Sequence, residues 1–188
     1  MPFYTKPQHR IFRLTSILLT AISILTCLKA CSKYSVTLND QSIYQPQPLF
    51  NDYQISDPHL HACVAQTISD KAITAAIQLQ RLICTNAGIK DLVGLEVFSQ
   101  LQELNFNDNA LNNLKGIDRL SKLTRLSLKN NQLGHASELL LLQNLIYLDI
   151  TRNPQLDCNN LQQLNNNQTQ QTHTNKQKIE FYLPKQCR

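Results

Sequence analysis

The sequence predicts an α/β repeat solenoid in which short parallel strands from successive coils line up side by side. Stretches that begin at Leu101, Leu123 and Leu145 share apolar residues at positions one, four and six and Asn at position nine. Their starts lie 22 residues apart, and a further step of 22 residues towards the N-terminus reaches Leu79. A fixed period of this length indicates stacked structural repeats, since no single coil can bury its own apolar side.

Apolar columns extend the frame beyond each strand, so that one coil runs from the start of one stretch to the start of the next. Residues at equal positions in successive coils are expected to pack on one another in an aliphatic core, because Trp is absent and aromatic residues are sparse. Two of these columns are Leu95, Ile117, Leu139 and Leu161, and Phe98, Leu120, Leu142 and Leu164.

The Asn column has a separate physical reason. Asn109, Asn131 and Asn153 stand where the chain turns inward after a strand. Such a bend leaves backbone groups facing the interior, where each unpaired group costs about 1–3 kcal/mol. An Asn amide offers both a donor and an acceptor, so the column predicts a ladder that satisfies neighbouring bends.

The spacing L-x-x-L-x-L-x-x-N-x-L in these copies resembles the leucine-rich repeat family. The segments "GLEVFSQL" and "GIDRLSKL" between strands resemble its internalin-like class with 22-residue repeats, over Ile73 to about Leu164. The resemblance implies a right-handed coil with a parallel sheet on its concave face. It also implies recognition of a protein or other macromolecule on that face, without a cofactor and without catalysis.

The repeats proper occupy residues 79–156, and a cap is expected at each end because an open solenoid exposes a slice of core. Residues 53–78 form the first cap, whose helix is predicted to begin with Asp57 as N-cap and Pro58 in the first turn. Helical spacing places Cys63 on the face that meets the first coil.

Two substitutions in the opening coil fit this cap. Cys84 takes an inward strand position, and Ala87 takes the Asn position because no coil precedes it. We expect a disulfide between Cys63 and Cys84, and two free buried thiols are the alternative.

The second cap is predicted to comprise residues 157–188. Residues 165–178 are polar and indicate an exposed loop, and "IEFYLP" alternates as a strand does. A bond between Cys158 and Cys187 would fasten this segment over the last coil.

Residues 1–30 are interpreted as a signal peptide, in which basic residues precede the uncharged apolar run "LTSILLTAISILTCL". The following "LKAC" resembles the bacterial lipoprotein signal and makes Cys31 the lipidation site, although Lys29 departs from it. Residues 31–52 would then tether the domain to a membrane of the cell envelope, either in the outer membrane or facing the periplasm. Ordinary signal cleavage or an uncleaved anchor are the alternatives, and both export the domain.

Charge and motifs exclude several functions. Without the four basic residues of the first 30 positions, 14 basic residues face 13 acidic ones, and no basic block remains for nucleic acid. "HLHAC" does not predict a metal site, since residues two apart on a helix point to different sides. No sequence motif for catalysis is present.

The outward strand positions are the candidate binding residues. They combine both charges with aromatic and amide groups, and Arg and Tyr are common interface anchors. They are Arg81, Glu103, Asn105, Arg125, Lys129, Tyr147 and Asp149, with Arg152 beside the last strand.

A second surface is formed by Leu140 and Leu141, which fall at outward positions and would be covered either by the C-terminal Phe181 and Tyr182 or by a partner. The alternative to a binding module is a structural scaffold or spacer without a ligand.

Overall fold

The structure is a computed structural model that describes residues 35–159, 161, 163–164 and 180–187. The chain forms two compact units that divide between Pro48 and Leu49. In the first unit, β1 (Val36–Leu38) and β2 (Gln41–Tyr44) form an antiparallel hairpin. Asn39 and Asp40 at its turn both have positive φ, which suits the right-handed twist of a hairpin. Part of the expected tether is therefore β-structure.

The second unit contains helix α1 (Pro58–Asp70) and a parallel sheet, and the described residues Asn159, Leu161, Gln163 and Leu164 are also helical. The five sheet strands follow one another in chain order, and every neighbouring pair is parallel. They are β3 (Arg81–Ile83), β4 (Glu103–Asn105), β5 (Arg125–Ser127), β6 (Tyr147–Asp149) and β7 (Glu180–Tyr182).

Short 3₁₀ helices lie at the outer positions of the repeats, at Ala76–Gln78, Leu95–Val97, Ile117–Arg119 and Ser137–Leu141, and a further one spans Lys185–Cys187. The regular alternation of one strand with one 3₁₀ turn makes this a leucine-rich-repeat-like α/β fold.

The core is aliphatic, as the apolar columns predict. The Leu residues at the centre of β3, β4, β5 and β6 are buried, and so are the column residues that precede and follow them. The two columns named from the sequence are all at most 3% exposed. Apolar burial of this kind is the main favourable contribution to folding, and it joins all repeats in one cluster.

The predicted Asn ladder is present. Asn131 is 4% exposed, and its Oδ1 accepts a hydrogen bond from the Leu111 amide at 3.0 Å. Its Nδ2 donates to the Phe106 carbonyl of the preceding repeat and to the Leu128 carbonyl of its own. Asn153 repeats the pattern one coil later, where its Oδ1 accepts from the Leu133 amide. Each Asn therefore joins its own bend to the preceding one.

The ladder explains why Ala87 replaces Asn in the opening coil. Asn109 accepts from the amides of Ala87 and Ile89 and donates to the Cys84 carbonyl. An Asn at position 87 would have no preceding repeat to reach, because α1 lies on that side. The first disulfide joins Cys63 of α1 to Cys84, with 6.0 Å between Cα atoms. Both departures therefore mark the end of the repeat stack.

Asp57 fixes the start of α1, as predicted. Its Oδ1 accepts from the amides of His59 and Leu60, both at 2.9 Å, and its Oδ2 accepts from the Lys90 amide at 2.8 Å. Burial opposes ionisation, but the amide donors outweigh it and hold the pKa of Asp57 below its usual value. One carboxylate thus caps the helix and joins it to the first repeat.

Packing of the chain against the first repeat begins earlier in the sequence than the predicted tether allows. Residue 50 falls in the predicted tether, whereas the Phe50 amide donates to the Ile73 carbonyl at 2.9 Å. The Phe50 ring packs edge-on against Phe98, at 6.0 Å between centroids, and stacks with Tyr53. The compact second unit accordingly begins at Leu49, directly before these aromatic contacts.

The C-terminal segment extends the sheet. β7 pairs with β6, so that Glu180, Phe181 and Tyr182 stand beside Tyr147, Leu148 and Asp149. The second disulfide joins Cys158 to Cys187, with 5.1 Å between Cα atoms. The suggestion that Phe181 and Tyr182 cover Leu140 and Leu141 is wrong, since both aromatic residues belong to β7. Leu141 is 60% exposed, and Leu140 packs partly against the core.

The expected signal peptide, Cys31 and the polar loop at residues 165–178 lie outside the described residues. Within the described ranges, no helix has the length and apolar character needed to cross a bilayer.

Gly94 lies in close contact with the backbone of the segment that precedes α1. Its φ is +100°, and a Cβ there would overlap the Gln54 carbonyl oxygen. We expect Gly94→Ala to lower the free energy of unfolding by more than about 2 kcal/mol, from left-handed strain and displacement of the cap. Urea denaturation measures the loss.

The matched control is Gly134→Ala, because that glycine has open space around its Cβ position and no positive φ. It is expected to be neutral or to stabilise by up to about 1 kcal/mol. Equal effects of the two substitutions would contradict the packing of residues 50–55 on the first repeat.

Candidate functional site

The candidate site is the outward face of the parallel sheet, called here the strand face. Parallel register places Arg81, Glu103, Arg125 and Tyr147 in one row across neighbouring strands. Because side chains alternate along a strand, these point opposite to the buried Leu residues between them. The row continues onto β7, where Glu180 stands beside Tyr147.

The row contains two different pairs. Arg81 Nη2 lies 2.7 Å from Glu103 Oε2, in an ion pair whose arginine is 60% exposed. The Arg125 guanidinium lies over the Tyr147 ring, with its Cζ 4.4 Å from the centroid. Such cation–π contacts are worth about 0.5–1 kcal/mol at exposed sites. Within the described part of the chain, Arg125 is exposed and has no ion-pair partner.

Tyr147 is held as a neutral stacking partner. Burial raises the pKa of its phenol, and the nearby Asp149 carboxylate and Tyr182 add to the rise, while Arg125 opposes it. The Tyr182 ring of β7 lies 5.8 Å from the Tyr147 ring at a tilt of 52°. β7 therefore adds a second aromatic ring on the side of Tyr147 that faces away from β5.

A second row of outward residues, nearer the ends of the strands, is polar and internally hydrogen-bonded. It comprises Asn105, Ser127 and Asp149 and, two positions further on, Asn107, Lys129 and Thr151. Asn107 Oδ1 accepts from the Ser127 hydroxyl and from the Lys129 amide, both at 2.8 Å. Asp149 Oδ1 accepts from the Thr151 hydroxyl at 2.6 Å. These bonds fix the orientation of the polar groups before any ligand arrives, which reduces the entropy cost of binding.

The two rows border a depression of 240 Å³. Six of the predicted binding residues line it, namely Glu103, Asn105, Arg125, Lys129, Tyr147 and Asp149. Arg81 stays outside, paired with Glu103, and Arg152 lies in the bend that follows β6.

Tyr182 is a residue of this face that the repeat pattern does not predict. Its position depends on the pairing of β7 with β6, and Glu180 does not fall a whole number of repeats from Tyr147. The only sequence signal is the alternating pattern of "IEFYLP", which indicates a strand but not its neighbour.

The segment "HLHAC" contains potential metal ligands. Cys63 of this segment is joined to Cys84 and so is not a thiolate ligand. Among the described residues, no group of three or more His, Cys, Asp or Glu side chains is close enough to hold a metal ion.

No protein-family profile matches the sequence, and no curated protein matches it significantly. Solved structures that resemble it include three internalins from Listeria monocytogenes. Internalin C2 of strain 4b F2365 is 25% identical over 53% of this chain, with a TM-score of 0.48. InlF of that strain is 22% identical over 51%, with a TM-score of 0.47. The functional domain of InlJ, which includes a cysteine ladder, is 24% identical over 55%, with a TM-score of 0.43.

The chain spans less than half the length of each of these structures. The matched region covers 46% of the internalin C2 chain, 30% of the InlF chain and 27% of the InlJ chain.

Proposed function

We propose that this protein is an exported, lipid-anchored leucine-rich repeat module that binds a protein or other macromolecule. The strand face is the concave binding surface of a right-handed solenoid, which α1 caps at one end and the disulfide-closed C-terminal segment caps at the other. The observation that carries the proposal is Arg125, which lies on Tyr147 with no carboxylate partner among the described residues.

The strand face is free to serve recognition because the fold does not require its side chains. The core is filled by the inward residues, and the bends are satisfied by the Asn ladder. No buried side-chain polar atom of the described residues lacks a hydrogen-bond partner. Arg, Tyr and acidic residues on the outward face therefore add little to stability.

The chemistry of the face suits a polar macromolecular partner. Arg125 and Lys129 supply donors, while Glu103 and Asp149 supply acceptors around one depression. Arg and Tyr contribute disproportionately to binding energy at protein interfaces. Mixed charge of this kind favours one docked orientation over others.

Export and anchoring are proposed from the sequence that ends at Cys31. The basic stretch, the apolar run and "LKAC" support a lipoprotein signal with Cys31 as its lipidation site. The cell envelope, either at the outer membrane or facing the periplasm, is the proposed location. The two disulfides support an oxidising compartment, because structural disulfides are rare in the cytosol.

Replacing Arg125 and Tyr147 together by Ala should abolish capture of the partner. A pair of interface anchors is worth about 2 kcal/mol or more of binding, which is about thirtyfold in affinity. The thermal midpoint should fall only slightly, because Arg125 is exposed and the half-buried Tyr147 lies on the outward face, outside the core. Photo-crosslinking in the native envelope, followed by mass spectrometry, identifies and quantifies the partner.

Arg119→Ala is the control, because Arg119 is an exposed cation on the 3₁₀ helix Ile117–Arg119, away from the strand face. Normal capture by the double variant would count against the strand face. If Leu141→Ser then lost the partner, the surface around Leu141 would be the binding surface. If the protein were a scaffold without a ligand, the double variant, Arg119→Ala and Leu141→Ser would all leave its role unchanged, and only loss of the anchor would impair it.

The anchor has its own test. Cys31→Ser should release the chain from membranes, because the serine cannot accept the lipid thioether. Cys27→Ser is the control and should remain anchored. Membrane fractionation and metabolic labelling with a fatty-acid analogue measure both outcomes, and an uncleaved, membrane-bound Cys31→Ser variant would indicate a permanent apolar anchor instead.

A further inference from the structure

A second depression lies between the last repeat and the C-terminal segment, and is called here the cap pocket. Its volume is 420 Å³. Pro154, Leu183 and Pro184 give it apolar walls, and three cationic residues, Lys129, Arg152 and Lys185, border it. Lys129 also borders the depression of the strand face, so the two depressions adjoin.

The walls of the cap pocket are fastened to one another. Gln186 Nε2 donates to the Asn153 carbonyl at 2.9 Å, and the Cys158–Cys187 disulfide closes the same segment onto the last repeat. Pro184 is buried, and Asn153 is fully buried as the last member of the ladder. The pocket is therefore formed before a ligand binds.

The charge around the cap pocket has one sign. No carboxylate is among the described residues that line it, and none of its three cations has an ion pair with any of the described residues. Residues 165–179, which precede β7 in the sequence, contain no Asp or Glu and include Lys176 and Lys178. The complementary occupant of the pocket is therefore an anionic group.

The backbone conformation of Arg152 is a second observation, independent of charge, at the cap pocket. Arg152 has φ +58°, at a position that recurs once in every repeat along the chain. The other repeats place Asn86, Asp108 and Asn130 there, with φ between +52° and +59°. Asn and Asp tolerate this left-handed conformation, whereas Arg is disfavoured in it. A strained backbone residue at the rim of a pocket points to a role in ligand binding.

We propose that the cap pocket binds an acidic peptide segment of a partner protein, with one apolar side chain against Pro154, Leu183 and Pro184. Carboxylates on either side of that side chain pair with Arg152 and Lys185, and Lys129 joins this contact to the strand face. An acidic segment fits better than a single terminal carboxylate, because three cations surround the pocket. The site does not require the strand face to be a binding surface.

The test uses the full chain and a fluorescein-labelled peptide amide, Gly-Glu-Leu-Glu-Gly, in an anisotropy titration. Two matched peptides replace both Glu by Gln, or Leu by Ser, and both should bind at least about tenfold more weakly. Arg152→Asn should weaken the acidic peptide by about tenfold, yet keep or raise the thermal midpoint, because it restores the residue type of the other repeats. Lys185→Gln should weaken binding similarly.

Arg119→Asn removes one positive charge elsewhere and should leave the affinity unchanged. A dissociation constant above about 1 mM for the acidic peptide would overturn the proposal. So would equal binding of the Gln peptide, or unchanged binding by Arg152→Asn and Lys185→Gln. If only the Arg125→Ala, Tyr147→Ala double variant lost the peptide, the acidic segment would bind the strand face, which fails this inference and not the proposed function.

Discussion

The Asn ladder is the constraint on which the rest of the structure depends. Each coil must turn its backbone through the interior, and the bend after each strand leaves carbonyl and amide groups away from water. The Phe106 carbonyl shows the solution, because it accepts from Asn109 of its own bend and from Asn131 of the next. Each repeat is thereby joined to its neighbour by polar contacts that an aliphatic core alone would not provide.

Two consequences follow for function. The inward residues and the ladder hold the repeats together. The fold therefore does not depend on the side chains of the outward row, which comprises Arg81, Glu103, Arg125 and Tyr147. Strands also hold these side chains at fixed spacing, which is more precise than a loop would allow. The bend after each strand contains a second position at which the residue type differs between repeats. Asn130 occupies it in one repeat, and Arg152 occupies it in the last, beside the cap pocket.

Much of this arrangement was predictable from the sequence, because residues at equal positions in successive repeats must lie side by side in the fold. The frame indicates the positions of the strands, the buried columns, the Asn ladder and both disulfide pairs, and Asp57 marks the start of the cap helix. Features formed by segments that do not belong to the 22-residue repeat were not predictable. The hairpin at Val36–Tyr44, the packing of Phe50 on Phe98 and the pairing of β7 with β6 depend on contacts between segments that share no repeat. For the same reason the place of Tyr182 on the strand face does not follow from the sequence.

The free energy of unfolding of Asn131→Ala tests the central claim, that the ladder holds the repeats together, most directly. The substitution leaves the Leu111 amide unpaired in the core, removes one of the two donors to the Phe106 carbonyl and opens a small void. Urea denaturation should show a loss of about 2 kcal/mol or more. A loss within about 0.5 kcal/mol, the range of an ordinary surface substitution, would contradict the account, because the core and the backbone hydrogen bonds of the sheet would then hold the repeats in place without the ladder.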